Sequence, residues 1–350
     1  MDSLTHIALG ACIGEAFFGK QLGKKALVLG SIAQVVPDID VLGVVFLSPA
    51  ENLLFHRGLT HSFVFVLLAA PVLGLSGQRL LRRHQLPLPK LAVFFCVQLL
   101  LHILLDTCNA YGTKLLWPFT DRRFSFDLLF VADPFFLAPL LLGLLILLVL
   151  NKQHVHRKKW VAGCLLLSGL YLVYAVANKM RVNHQVEKSL QAQGLPHTFF
   201  ISKPTAFNTW LWYIMVPAGK GFYIGYRSVF DSRHYVTPFE YFPQNKELLL
   251  LAENREAEKR LQTFSDGYFT VERRNDTVLV NVLRFGRIAG WEEKDKGFIV
   301  QFYLNPGFDN STVMQRGRLR EYNRETMRGL YRRIQGRKED NSFLKKTGDK

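Results

Sequence analysis

The apolar stretch of residues 91–108 decides the architecture of the first half of this chain. It has the sequence LAVFFCVQLLLHILLDTC, in which His102 is the only histidine and Asp106 the only charged residue. Its length and composition are typical of a membrane-spanning helix, since a bilayer core of roughly 30 Å requires about 20 apolar residues. Residues four apart share one face of a helix, so His102 and Asp106 are predicted to project together. Ionisable residues inside a span are costly and indicate function.

Further apolar segments flank this stretch. Three approach the length of a span: Ser62–Leu81, Pro134–Leu150 and Trp160–Asn178. Two shorter ones precede them, Leu4–Phe18 and Ala26–Leu47, and Gly and Pro interrupt the second, which favours partial or re-entrant spans. The alternative is that Ser62–Leu81 and Leu91–Cys108 are buried core helices of a soluble protein.

Composition divides the chain into differently solvated parts. Residues 1–178 contain 15 Lys and Arg against 9 Asp and Glu, whereas residues 179–350 contain 29 against 19. With 49% hydrophobic and 21% charged residues, intrinsic disorder is excluded for most of the chain. We predict a helical membrane domain with a metal site over residues 1–178, a soluble basic α+β domain over 179–340 and a tail over 341–350.

Aromatic and β-branched runs predict strands in the second half. Phe207–Val216 and Phe222–Phe230 flank Pro217-Ala218-Gly219-Lys220-Gly221, which predicts a hairpin. Two more strands and one helix are expected at Thr277–Phe285, Phe298–Leu304 and Lys246–Phe264. The basic stretch Gln315–Arg337 is either a helix on anionic headgroups or a solvated terminal helix.

The basic loops predict the orientation in the membrane. Three loops carry most of the Lys and Arg of the first half and are expected to face the cytoplasm: Lys20–Lys25, Arg79–Lys90 and Lys152–Lys159. The opposite, non-cytoplasmic face then receives Pro37–His61, Asn109–Asp133 and everything after Asn178. We therefore expect a multi-pass inner-membrane protein.

The same topology gathers a set of His and Asp residues on the non-cytoplasmic face. Asp38 and Asp40 follow Pro37 in a stretch predicted to be extended, and His56 and His61 flank a turn at Gly58. Imidazole and carboxylate ligands together suit zinc, and also manganese or iron. More than four candidates favour two or more ions, the arrangement that holds the attacking and leaving oxygens of a phosphoester. The candidate ligands are His6, Asp38, Asp40, His56, His61, His102 and Asp106.

Simpler interpretations exist for several of these residues. His6 is equally explained as a capping or interfacial residue, Asp40 as a partner of another ligand, and His102 with Asp106 as a buried hydrogen-bonded pair. The sequence has no GxSxG, HExxH, Walker or GxGxxG motif, which leaves serine-hydrolase, zincin, nucleotide and dinucleotide chemistry without support. It also has no recognisable nucleic-acid-binding motif.

Short motifs in the first 135 residues resemble the YdjM-type family of membrane-bound metal-dependent hydrolases. They occur in the expected order: Met1-Asp2-Ser3-Leu4-Thr5-His6, Pro37-Asp38-Ile39-Asp40, His56-Arg57-Gly58-Leu59-Thr60-His61-Ser62, His102-x-x-x-Asp106, Tyr111-Gly112-Thr113 and Trp117-Pro118-Phe119. The family is distantly similar to zinc-dependent phospholipase C and P1-type nucleases, so the resemblance implies a phospholipase C-like helical core.

The resemblance also implies roles for the candidates. In those soluble enzymes a zinc cluster is held by an N-terminal His, an Asp, a His and an HxxxD pair whose Asp bridges two metals. These roles would fall on His6, on Asp38 or Asp40, on His56 or His61, and on His102 and Asp106. The enzymes also use a terminal amine and a further His/Glu group, for which the sequence shows no clear counterpart, so we expect two zinc ions rather than three.

We therefore predict a membrane hydrolase that cleaves a phosphoester in a lipid or lipid-linked substrate. Its expected partners are membrane lipids. Whichever of Asp38 and Asp40 is not a ligand would be the general base, and Arg57 would hold a phosphate oxygen. The alternative is a non-catalytic membrane protein that carries or senses a metal and binds a partner through its basic domain.

Overall fold

A computed structural model describes residues 1–47, 55–251, 255–274, 277–292, 297–304, 313–315 and 322–337. The chain divides into two units, of which the first contains Met1–Val45, Phe55–Ala175 and Ala206–Asn208. The division falls within a long helix close to the predicted join at Lys179. The predicted tail over 341–350 and part of Gln315–Arg337 lie outside the described residues.

Apolar helices build the first unit. They are α1 (Ser3–Leu22), α2 (Lys24–Val35), α3 (Phe63–Leu80), α4 (Leu88–Asp106), α5 (Pro134–Val149) and α6 (Arg157–Ala192). In the part of the chain that the structure describes, four helical segments have the length and hydropathy of a membrane span: Lys24–Gly43, Phe63–Leu80, Leu88–Asp106 and Arg157–Ala192. The predicted span Pro134–Leu150 forms only the 16-residue α5, which is shorter than the other four.

Helices α1 and α2 approach each other closely because glycines line their contact. A Cβ added at Gly10 would lie 2.3 Å from the carbonyl oxygen of Gly30, and one at Gly14 would lie 2.1 Å from that of Ala26. Small residues allow helix backbones to approach in this way. The Asp2 side chain caps α1 by accepting a hydrogen bond from the Thr5 amide at 3.0 Å. The capped and closely packed hairpin fixes where His6 lies.

Two 3-10 helices carry three of the remaining candidate ligands, Asp38, Asp40 and His61. Val36–Val45 continues α2 as a 3-10 helix, and Leu59–His61 forms another immediately before α3. The prediction of an extended stretch at Asp38 and Asp40 is therefore wrong. Pro37 does not end the helical path here, because the backbone tightens into 3-10 geometry at Val36. The predicted turn is present at His56 and Arg57, but His61 lies at the end of the 3-10 helix Leu59–His61.

The second unit contains two antiparallel four-stranded sheets with helices. The first sheet has the order β1–β2–β3–β4 and the second β5–β6–β7–β8. The strands are Ile201–Pro204, Leu211–Ala218, Gly221–Ser228, Phe239–Pro243, Phe269–Arg274, Thr277–Arg287, Phe298–Leu304 and Val313–Gln315. The predicted hairpin is confirmed as β2–β3, with Ala218 opposite Gly221 and Gly219 at φ 56°.

Helical predictions in this unit hold in part. The predicted helix Lys246–Phe264 is a 3-10 helix, Lys246–Leu251, and an α-helix, α7, over Arg255–Ser265. Helix α8 covers Arg324–Ile334, within the stretch predicted to be helical. An apolar helical region followed by a region of sheets and helices is the architecture expected from the sequence.

Candidate metal centre

Four side chains from three elements meet within the first unit. Asp38 comes from the first 3-10 helix, His61 from the second, and His102 and Asp106 from α4. One ligand atom of each lies within 4.8 Å of those of the others. His61, His102 and Asp106 are fully buried, whereas the Asp38 side chain is 18% exposed. Asp38 is therefore the member of this cluster that reaches solvent.

The distances in this cluster match those between ligands of one small cation. Each histidine Nε2 lies 3.5 Å from Asp38 Oδ1. Asp106 Oδ2 is 3.4 Å from Nε2 of His61 and 3.7 Å from Nε2 of His102. Tetrahedral ligands with bonds near 2 Å are separated by about 3.3 Å. The spacing therefore fits a shared zinc-sized ion.

Hydrogen bonds on the far side of each imidazole fix its tautomer. His102 Nδ1 lies 2.6 Å from the Gln34 carbonyl oxygen, which can only accept, so Nδ1 carries the proton. His61 Nδ1 lies 3.0 Å from Thr60 Oγ1, whose own proton goes to Asp40 Oδ2, so Nδ1 is likewise expected to donate. The two Nε2 atoms, 3.2 Å apart, are then the positions that share a proton or bind a cation. This pattern is typical of histidines that hold a metal.

The electrostatics of the cluster favour a cation. Asp106 Oδ2 is buried without a hydrogen-bond partner, which costs about 1–3 kcal/mol or more for a charged group. Burial disfavours a charged His61, yet the carboxylates of Asp106, Asp38 and Asp40 outweigh it and raise the pKa of His61 to about 9. The donor types, the orphaned oxygen and the negative surroundings together fit a divalent metal ion.

Asp40 lies on the Nδ1 side of His61, and both its carboxylate oxygens accept hydrogen bonds. Its Oδ1 accepts from His56 Nδ1 at 2.8 Å, and its Oδ2 accepts from the Arg57 amide at 2.8 Å and from Thr60 Oγ1 at 2.9 Å. Asp38, Asp40 and His56 also form a second group with metal-ligand spacing. The two aspartates do not point the same way, as an extended stretch would require; they contact opposite nitrogens of His61.

The other oxygen of Asp106 faces a different set of groups. Oδ1 lies 3.3 Å from His6 Nε2 and contacts the α-amine of Met1. His6 stacks on His102 with ring centroids 3.9 Å apart, and its Nδ1 is buried without a partner. Asp106 thus presents one oxygen to each of two groups, as a bridging carboxylate does. The Met1 amine was not expected from the sequence.

Arg57 approaches the centre from the turn between the 3-10 helices. Its Nε lies 3.2 Å from Asp106 Oδ2, and its guanidinium stacks over the Tyr111 ring at 5.3 Å. Its backbone is held at φ 64°, with its amide bound to Asp40 and its carbonyl accepting from the Lys114 amide. All eight residues named from the sequence, the seven candidate ligands and Arg57, therefore lie in one region of the unit.

Several contacts of the centre were missed by sequence reasoning. Gln34 acts through its backbone carbonyl, which no side-chain pattern reveals. Thr60 lies inside the His56–Ser62 motif but was given no role, and Asn109 follows Asp106 by three residues. That proximity is the one signal that pointed to them.

We expect Asp40→Asn to weaken metal affinity by about 10–100-fold, because the amide no longer supports His61 with a negative charge. Titration of the purified variant against a competing chelator measures the change. Asp121→Asn is the matched control, since Asp121 is 80% exposed and pairs with Lys114. Equal affinity in wild type and Asp40→Asn would contradict the positioning role.

Comparisons with known proteins support the resemblance to the YdjM-type family. A family model described as YdjM inner membrane protein matches residues 1–182. Inner membrane protein YbcI of Escherichia coli (strain K12) is 37% identical over 123 residues, which are 35% of this chain and 69% of YbcI. Uncharacterized protein YfhP of Bacillus subtilis (strain 168) is 25% identical over 235 residues, 64% of this chain and 68% of YfhP. No solved structure matches.

The family match covers the part of the chain that forms the centre. Every candidate ligand, from His6 to Asp106, lies within residues 1–182, which are slightly more than half of the chain. The apolar helices agree with the membrane location that the family description and the YbcI name give. The chain belongs to the YdjM inner membrane protein family.

Proposed function

We propose that this protein is a membrane-bound, metal-dependent hydrolase that cleaves a phosphoester in a lipid or lipid-linked substrate. The observation that carries the proposal is the convergence of the His61 and His102 Nε2 atoms, 3.2 Å apart, with a buried, unpartnered oxygen of Asp106. A purely structural pair would be expected to satisfy these atoms within the protein.

We assign one ion to Asp38, His61, His102 and Asp106 Oδ2, and a second to Asp106 Oδ1 with His6. Zinc suits these ligands best, and manganese or iron accept the same types. When bound, such ions lower the pKa of a water and polarise phosphoryl oxygens. On the basis of the family resemblance, we also propose that the helices holding these ions form a phospholipase C-like core.

The chain's own residues supply the remaining roles. Asp38 Oδ1 faces the histidines, and its other oxygen has no hydrogen bond to the described part of the chain, so we assign proton acceptance to that oxygen. This assignment departs from the expectation that the aspartate outside the ligand set is the base, because both oxygens of Asp40 already accept hydrogen bonds. Arg57 would hold a phosphoryl oxygen of the substrate.

The position of the centre along the helices supports a lipid substrate. Asp106 is the last residue of α4, and His61 directly precedes the Ser62 cap of α3. Asp38 lies near the end of the candidate span Lys24–Gly43. Span ends are the level at which lipid phosphates lie. Ligands placed there would meet a headgroup phosphoester without extracting the lipid.

We expect the basic loops Lys20–Lys25, Arg79–Lys90 and Lys152–Lys159 to face the cytoplasm, because Lys and Arg in short loops set the orientation. The centre and the C-terminal domain would then be non-cytoplasmic. A reporter that is active only outside the cytoplasm, fused after Lys350, should be active. Activity of a cytoplasmic reporter alone would contradict the predicted number of spans.

Hydrolysis is tested on the detergent-purified protein, stripped with a chelator and then reloaded with zinc. We expect release of headgroups from at least one phosphodiester or phosphomonoester lipid by the loaded protein and none by the stripped protein. A protein that binds the metal and hydrolyses no lipid across a broad panel would favour the non-catalytic carrier or sensor instead.

A further inference from the structure

Unsatisfied polar atoms concentrate around the metal centre. In the described part of the chain, nine buried side-chain nitrogens and oxygens have no hydrogen-bond partner. Five belong to residues of the centre and the segment that follows it: His6 Nδ1, Arg57 Nε, Asp106 Oδ2, Asn109 Nδ2 and Thr113 Oγ1. Buried polar groups are normally paired, so a cluster of exceptions points to a missing ligand.

The amide of Asn109 has only one possible orientation. Its Oδ1 accepts hydrogen bonds from Arg57 Nη1 at 3.0 Å and from the Tyr111 amide at 2.9 Å. A flipped amide would place its NH2 group against these two donors. The Nδ2 group must therefore point away from them, where it is buried and unpartnered. An NH2 group can only donate, so it requires an acceptor.

Arg57 provides a second unpartnered donor next to this amide. Its Nη1 donates a hydrogen bond to Asn109 Oδ1, and its Cζ lies over the Tyr111 ring, 5.3 Å from the ring centroid. Its Nε lies 3.2 Å from Asp106 Oδ2, yet it makes no hydrogen bond of acceptable geometry. Arg57 Nε and Asn109 Nδ2 are thus two unpartnered donors on side chains that hydrogen-bond each other, and Nε lies beside the oxygen that we assign to the first ion.

We propose that Asn109 Nδ2 and the Arg57 guanidinium form an oxyanion cradle that binds a phosphoryl oxygen of the substrate beside the metal ions. The inference rests on the proposed function and adds Asn109 as a substrate-binding residue. Donors fixed before the substrate arrives bind an oxyanion strongly, because they need no reorganisation. A phosphoryl group supplies several acceptor oxygens, so one can meet the cradle while another meets the metal.

Inorganic phosphate is the probe, with binding to the zinc-loaded protein measured by calorimetry and zinc content measured in parallel. Asn109→Asp keeps the oxygen that holds Arg57 and the Tyr111 amide but replaces the donor group with an acceptor. We expect phosphate affinity to fall by about 10–100-fold, as for loss of a hydrogen bond to a charged group, with zinc content unchanged. Asn151→Asp adds the same charge at an exposed position and should bind phosphate like wild type.

A second variant, Asn109→Ala, distinguishes two roles of Asn109: donating a hydrogen bond to phosphate, or only positioning Arg57. If Asn109 only held Arg57 in place, Asn109→Asp would bind phosphate normally and Asn109→Ala would not; that result overturns the cradle alone. The cradle requires weak binding by both variants. A zinc-loaded wild type that binds no phosphate would contradict both the cradle and the proposed hydrolase.

Discussion

Asp106→Ala should lose bound metal and hydrolytic activity together. Asp106 presents Oδ2 to His61 and His102 and Oδ1 to His6, so its removal takes a ligand from both proposed ions. The loss should exceed the roughly 10–100-fold expected for a supporting residue such as Asp40. The protein should still insert, because removing a charge from an apolar helix does not oppose insertion. Metal analysis and lipid hydrolysis on the same purified sample measure both effects.

Asp133→Ala is the matched control for this variant. Asp133 is also a fully buried aspartate of the first unit, but it caps α5 by accepting hydrogen bonds from the Phe135 and Phe136 amides. Its loss should cost about 1 kcal/mol of stability and leave the metal in place. Full metal occupancy in Asp106→Ala would rule out the bridging role.

Arg57→Lys should keep the metal and lower kcat/KM for a phosphoester by about 100–1000-fold, the usual effect of losing one preorganised oxyanion donor. An ammonium cannot reproduce the guanidinium fork that contacts Asn109 and stacks on Tyr111. Lysine meets the same backbone cost as arginine at φ 64°, so the comparison isolates the head group.

Steady-state kinetics of Arg57→Lys at equal zinc content give the comparison, with the exposed Arg79→Lys as the control. Activity equal to wild type would remove Arg57 from substrate binding. Loss of zinc from Arg57→Lys would instead indicate that Arg57 positions the Asp106 carboxylate.

The clustering of the candidate ligands was predictable because it depends on helical spacing and on the positions of span ends. His102 and Asp106 project together from α4 whatever surrounds them, and the basic loops placed the other candidates at the same face. Backbone geometry between the motifs was not predictable. Asp38 and Asp40 lie on a 3-10 helix instead of an extended strand, and so contact opposite sides of His61.

Contacts that depend on tertiary packing could not be predicted from the sequence either. The Gln34 carbonyl reaches His102 because α2 packs on α4, and the Asn109 amide is oriented by Arg57 from 52 positions earlier in the chain. In the second unit, the turn residues around Gly219 marked the β2–β3 hairpin, whereas β1 and β4 are short strands of four and five residues that depend on pairing with it.

The metal content of the purified protein tests the central claim most directly. Wild type, isolated in detergent without chelators, would be compared by elemental analysis with His61→Ala/His102→Ala, which removes both facing nitrogens. We predict roughly one or two zinc-type ions per wild-type chain and none above background in the double variant. Equal metal content in the two proteins, or none in wild type after zinc is supplied, would contradict the account.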